Sequence, residues 1–249
     1  MGNETLAIIM AAGYGARMGN IQVPKVMLQD KDGRPFIEDA LTFLEYGKSI
    51  DFAVLTRDEP RFESLNKYLA DHPRKNQFDV LYQTTKPAGL HIWAILSEYG
   101  KRGDFFSCMR HYENVIILPG DHKLTSRDID LEKLTACHDS NDASISVVFS
   151  KGWNNPKAHK DFLVLDEKGR IKTYRREKAD AEEPRKGDKI TTTGVWVLNE
   201  RVLDSRFRAA ASALGFSYFP LLSRYSHAYP YFIQPGWGGV RDTPDTIGK

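Results

Sequence analysis

Short apolar runs alternate with amphipathic stretches of helical length over residues 1–150, and this alternation restricts the fold more than any other feature of the chain. Leu6 to Met10 reads as a buried strand that ends in a glycine-bearing loop. Phe36 to Tyr46 reads as a helix opened by Pro35. Phe52 to Leu55 reads as a second strand, Arg61 to Ala70 as a helix and Phe78 to Gln83 as a third strand. Gly89 to Arg102 carries Ile92, Ile95, Leu96 and Tyr99 at helical spacing. Val115 to Leu118 is a fourth strand, Leu131 to His138 a helix, and Ala143 to Phe149 a β-branched, strand-like run. Strand–helix–strand repetition of this kind predicts an α/β fold, a mostly parallel sheet with helices on both faces.

After residue 150 the rhythm changes. Phe162 to Leu165 and Ile171 to Tyr174 flank Asp166-Glu167-Lys168-Gly169, a hairpin pattern. Ten of the fourteen residues at 176–189 are charged, which predicts a solvated loop with no core face. Ile190 to Leu198 reads as a strand, helical patterns follow, and a late strand is expected near Tyr231 to Gln234.

Composition excludes several classes of function. The formal charge is +2, without a basic block, so neither a nucleic-acid footprint nor a polybasic membrane anchor is supported. No apolar run is long enough to span a bilayer. No basic region followed by a long apolar core opens the chain, so no signal peptide is expected. Cys108 and Cys137 cannot build a disulfide framework or a zinc site alone, so reduced thiols in a cytoplasmic protein are expected. The sequence leaves homo-oligomerisation open.

The most informative segment is Ala11-Ala12-Gly13-Tyr14-Gly15-Ala16-Arg17-Met18, followed by Pro24-Lys25-Val26-Met27-Leu28. No Gly-Lys-Ser/Thr follows, so it is not a Walker A loop. Met18 stands where a dinucleotide fingerprint needs its third glycine. Small residues at a strand end let the backbone pass close to a ligand, and successive N–H groups can wrap a phosphate. Arg17 and Lys25 add fixed positive charge in the same segment. That combination suits a triphosphate whose leaving pyrophosphate must be neutralised.

This run, with Gly33-Arg34-Pro35-Phe36-Ile37-Glu38 behind it, resembles the signature of the sugar-phosphate nucleotidyltransferases. The resemblance implies a Rossmann-like α/β domain with a mixed, mostly parallel sheet flanked by helices, of nucleotide-diphospho-sugar transferase type. It implies one domain over residues 1–249, with residues 1–150 binding the nucleotide and 151–249 the acceptor. The implied activity is Mg²⁺-dependent transfer of a nucleotidyl group from a nucleoside triphosphate to a sugar 1-phosphate, with release of pyrophosphate and formation of a nucleoside-diphosphate sugar. The same loop also occurs in cytidylyltransferases acting on phosphocholine-like or isoprenoid-precursor alcohol phosphates. A catalytically silent, nucleotide-binding regulatory relative is a third alternative.

Residue roles follow from the resemblance. Arg17 and Lys25 match the catalytic loop arginine and the lysine of the Pro-Lys pair. Ala11, Ala12, Gly13 and Gly15 match the backbone lining base and phosphates, and Gln83 looks like the base reader. Lys86-Pro87-Ala88-Gly89 resembles the loop under the nucleotide, with Leu90 in place of the usual Thr. Asp121, in Leu118-Pro119-Gly120-Asp121, matches a magnesium ligand, and a strand's carboxyl end is where open α/β sheets bind ligands. Trp237 to Asp245 resembles the segment that supplies the second ligand, here Asp242. Glu177 and Lys178 resemble the acceptor-binding Glu-Lys pair, although Ala179 replaces the usual Pro. Thr193 and Gly194 resemble the strand lining the sugar pocket, with Thr192 in place of Asn.

Overall fold

The computed structural model describes residues 5–13, 22–46, 49–82, 112–152, 159–178, 187–199, 227–235 and 237. They include nine strands and three α-helices of a Rossmann-like α/β fold whose sheet is mixed and mostly parallel. The chain divides into two compact units, residues 1–127 with 239–249, and residues 128–238.

In the first unit, strands β1 (Thr5–Met10), β2 (Ile50–Thr56), β3 (Asp79–Tyr82) and β4 (Asn114–Pro119) lie in the order β3-β2-β1-β4, all parallel. Parallel strands are covered on both faces and so read as continuous apolar runs. Accordingly Ala7, Ile8, Ile9, Val54, Leu55, Val115, Ile116 and Leu118 are all buried. The register places Met10 level with Leu55 on one side and with Pro119 on the other. The carboxyl ends of three strands therefore finish side by side.

The expected helix over Phe36 to Tyr46 is shorter than its pattern suggests. The α-helix α1 spans Ile37–Leu41 and tightens into a 3₁₀ turn over Thr42–Tyr46. Pro35 lies outside it, in an isolated bridge with Gln29. Between them Gly33 takes φ +77°, a conformation that L side chains rarely adopt, so glycine belongs there. Helix α2 (Glu63–Asp71) is entered through a 3₁₀ turn at Pro60–Phe62 and buries Leu65 and Leu69. Glu38 of α1 accepts a hydrogen bond from the Tyr68 hydroxyl and lies 3.2 Å from His72 Nε2, joining α1 to the end of α2. The expected helix at Gly89 to Arg102 lies outside the described residues.

In the second unit, helix α3 (Leu131–Ser140) is capped by Asp130, whose carboxylate accepts from the Lys133 N–H. Strand β5 (Ile145–Lys151) pairs antiparallel with β8 (Asp188–Asn199) and parallel with β9 (Ala228–Ile233). Strands β6 (His159–Leu165) and β7 (Ile171–Lys178) form the expected hairpin, and β6 also pairs with β8. Asp166 closes the hairpin by accepting from the backbone of Lys168 and Arg170 and from Arg170 Nε at 2.7 Å.

The charged stretch 176–189 is not one solvated loop. Its first three residues continue β7, and Asp188 and Lys189 begin β8. Charge density misleads here because backbone pairing, unlike core packing, places no demand on side-chain polarity.

Candidate functional site

The first unit's three strand ends are tied together before any side chain is considered. The Ala11 N–H donates to Leu55 O at 2.9 Å, and the Gly120 N–H donates to Met10 O at 3.0 Å. Ala11 and Ala12 are buried and Gly13 is half-buried, so the glycine loop leaves the sheet between β2 and β4. Gly120 is required by space, not by backbone angle. A Cβ there would sit 2.7 Å from Met10 O and 3.1 Å from Ile37 Cδ1. Gly120→Ala is therefore expected to destabilise the fold by about 1–3 kcal/mol, because the obstacle is backbone and cannot rotate away. Urea unfolding checks this; an unchanged midpoint would show that β1 and β4 separate freely.

Lys25 returns to the same edge. Pro24 presets a 3₁₀ turn over Lys25–Met27, and the Leu28 N–H donates to Lys25 O. The Lys25 side chain is 8% exposed, and its Nζ lies 2.7 Å from Asp121 Oδ2. His122 Nε2 lies 3.8 Å from the other oxygen, Oδ1. Burial pushes the Asp121 carboxyl upward, but His122 and Lys25 outweigh it and hold the group below the usual carboxylate range. The result is an ionised carboxylate at the end of β4, a buried ammonium against it, and the start of a glycine loop on the neighbouring strand.

Two further residues stand at this edge. One is His122, which the sequence places directly after Asp121, able to touch the site but reading more simply as a polar loop histidine. The other is Arg57, just past β2, whose side chain is 2% exposed and whose Nε donates to Ala12 O at 2.9 Å. Its signal was available: an arginine directly at the carboxyl end of an apolar strand, the edge at which such sheets bind ligands.

Of the residues singled out in the sequence, the structure brings together Ala11, Ala12, Gly13, Lys25 and Asp121. Arg17, Gly15, Gln83, Gly89 and Asp242 lie outside the described residues. In the second unit, Glu177 and Lys178 fall in β7, opposite Lys160 and His159 in the ladder. Thr193 and Gly194 fall in β8. Thr193 is buried and its hydroxyl donates to Val148 O at 3.0 Å, at the point where the β5–β8 register shifts. Gly194 takes φ +80° there. Trp237 is buried, with its backbone N–H donating to Ser150 Oγ at 3.2 Å.

Among the described residues no group of three His, Cys, Asp or Glu side chains stands together. The residues present still fit Mg²⁺, a hard cation that takes one or two carboxylates and fills its shell with water and phosphate oxygens. Asp121 is an ionised oxygen donor of that kind. Among the described residues no helix is long and apolar enough to cross a membrane.

The nucleotidyl transferase family model matches residues 6–219, a span that takes in Lys25 and Asp121 and stops before Asp242. Comparison with curated proteins gives no match.

Proposed function

From the premise that this chain belongs to the nucleotidyl transferase family, we propose that it transfers a nucleotidyl group to a sugar 1-phosphate, with Mg²⁺, forming a nucleoside-diphosphate sugar. The family membership carries the coarser activity, nucleotidyl transfer from a nucleoside triphosphate to a phosphorylated substrate. The observation that carries the reading is the 2.7 Å contact of Lys25 with Asp121 at the strand ends where the glycine loop begins, which suits phosphate chemistry, while the sugar acceptor rests on the motif resemblance.

A phosphate monoester is mostly dianionic at neutral pH, so the acceptor needs no general base. Its oxygen attacks the α-phosphorus, one P–O bond forms, and the bond to the leaving pyrophosphate breaks. What the protein must supply is alignment and charge. Gly13 and the loop after it offer backbone N–H groups. Lys25, held in place by Asp121, offers an ammonium for the charge that develops as the bond breaks. Asp121 and Asp242 would hold Mg²⁺, which when bound neutralises phosphate oxygens. Arg17 would serve the β- and γ-phosphates, and Glu177, Lys178, Thr193 and Gly194 the acceptor.

The departures at Thr192 and Ala179 favour testing a second acceptor class, alcohol phosphates of the phosphocholine or isoprenoid-precursor type. The experiment is pyrophosphate release with Mg²⁺ across five nucleoside triphosphates and a panel of acceptors. The panel holds hexose 1-phosphates, amino-sugar 1-phosphates, phosphocholine and methylerythritol phosphate. One sugar 1-phosphate pairing should stand far above the rest. Activity confined to an alcohol phosphate would replace the sugar reading with the second. A dark grid with intact nucleotide binding would favour a silent regulatory relative.

A further inference from the structure

Arg57 is among the largest fully buried side chains, yet it carries a permanent charge. Its Nε donates to Ala12 O at 2.9 Å, and its Nη1 lies 3.3 Å from Glu59 Oε1. The residue is itself clamped. The Asn66 amide of α2 donates to Arg57 O at 2.8 Å, and the Thr56 hydroxyl donates to Asn66 Oδ1 at 2.9 Å. A buried ion pair is a poor device for stability alone, since apolar packing of similar volume is often as good or better. The arrangement instead has a directional consequence. The Ala12 carbonyl and the Gly13 N–H belong to one planar trans peptide, in which they point opposite ways. Fixing the carbonyl toward the guanidinium fixes the Gly13 N–H away from it. The Ala11 N–H is already committed to Leu55 O, so Gly13 offers the next amide along the chain after Ala12.

We propose that Arg57 is a positioning residue: by holding the Ala12 carbonyl it aims the Gly13 N–H at the phosphates of the nucleotide. The proposal rests on the nucleotidyl-transfer reading above. It assigns Arg57 no contact with substrate; its effect passes through a single peptide group.

The test uses the full chain with Arg57→Met, which keeps length and apolar bulk, and Arg57→Lys, which keeps charge without the Nε–H. The probes are inorganic pyrophosphate and each of ATP, CTP, GTP, UTP and dTTP. Arg57→Met should weaken pyrophosphate and the cognate triphosphate by roughly ten- to a hundredfold, the scale of a hydrogen bond to a charged group. Arg57→Lys should fall between it and the wild type. In steady state the nucleotide KM should rise while the acceptor KM holds. The Gly13 amide resonance should move on adding pyrophosphate to the wild type, and move less in Arg57→Met. A folded Arg57→Met that binds both probes as the wild type does overturns the proposal. Should Arg57→Met fail to fold, Arg57→Lys decides: a rise in nucleotide KM alone supports it, and equal changes in both KM values overturn it. A wild type that binds neither pyrophosphate nor any triphosphate instead overturns the nucleotidyl-transfer reading itself, and the positioning role with it.

Discussion

Replacing Lys25 with alanine should lower turnover by roughly 10²–10³, the scale seen when one preorganised donor to developing charge is lost. The expectation comes from the state in which the structure holds the group. An exposed lysine would have to give up freedom and solvent to reach a reacting phosphate. Lys25 has already done both, since its side chain is 8% exposed and its ammonium sits 2.7 Å from Asp121 Oδ2. The interaction should matter most as the bond to pyrophosphate breaks, so kcat and kcat/KM should fall together. Alanine also removes buried volume, so Lys25→Met serves as the control: it keeps the stem and removes the charge. A folded Lys25→Met with near-normal turnover would sink the assignment. A rise in KM at constant kcat would move Lys25 from transition-state stabilisation to plain binding.

Much of the first unit is readable in the sequence because parallel strands leave a plain mark. Leu6 to Met10, Phe52 to Leu55 and Val115 to Leu118 are unbroken apolar runs, and each is a strand. The placement of Asp121 follows from one rule, that such sheets bind ligands beyond their carboxyl ends. Its contact with Lys25 does not follow, because nearly a hundred residues separate the two and Lys25 reaches Asp121 from a 3₁₀ turn outside both strands. Arg57 is obscured in the sequence for a related reason. A charged side chain at the end of a strand looks solvated until the end of the neighbouring strand supplies a carbonyl for it, here that of Ala12.

The second unit was harder to read, and the stretch 176–189 shows why. Arg176, Glu177 and Lys178 look like loop residues by charge, yet they extend β7 through backbone pairing with β6. Edge and hairpin strands draw on hydrogen bonds that polar pattern does not report. Thr193 carries a second lesson. Motif resemblance marks it as lining an acceptor pocket, while its hydroxyl is committed to Val148 O beside a register shift. A residue can match a motif because the strand needs it there, and the acceptor panel distinguishes that from recognition.

Acid should destabilise the protein through His138 by about 3 kcal/mol between pH 7 and pH 4. His138 lies in α3 and is 1% exposed. Its Nδ1 is 2.8 Å from Ser146 Oγ in β5, and its Nε2 has no hydrogen-bond partner among the described residues. A neutral ring satisfies this site with one nitrogen paired. An imidazolium would carry a second N–H with nothing to accept it, in a place water does not reach. Burial therefore pushes the His138 pKa down to about 4, although the neighbouring Asp139 pulls the other way. In the unfolded chain the ring titrates near about 6.5. The unfolded state thus binds the proton first as pH falls, so the stabilisation is complete above pH ~6.5 and is lost on the way to pH ~4. Acid also acts on the rest of the protein, so the measurement is a difference between two curves. Urea unfolding of the wild type and of His138→Gln, followed from pH 7 to pH 4, isolates the ring. Glutamine keeps a hydrogen-bonding end for Ser146 and cannot titrate. The variant should pay a fixed cost at pH 7 and close the gap on the wild type, by about 3 kcal/mol, as pH falls to 4. Parallel curves would mean that the ring takes up its proton in the folded protein as readily as in the unfolded chain, and that α3 opens to solvent far more easily than its packing implies.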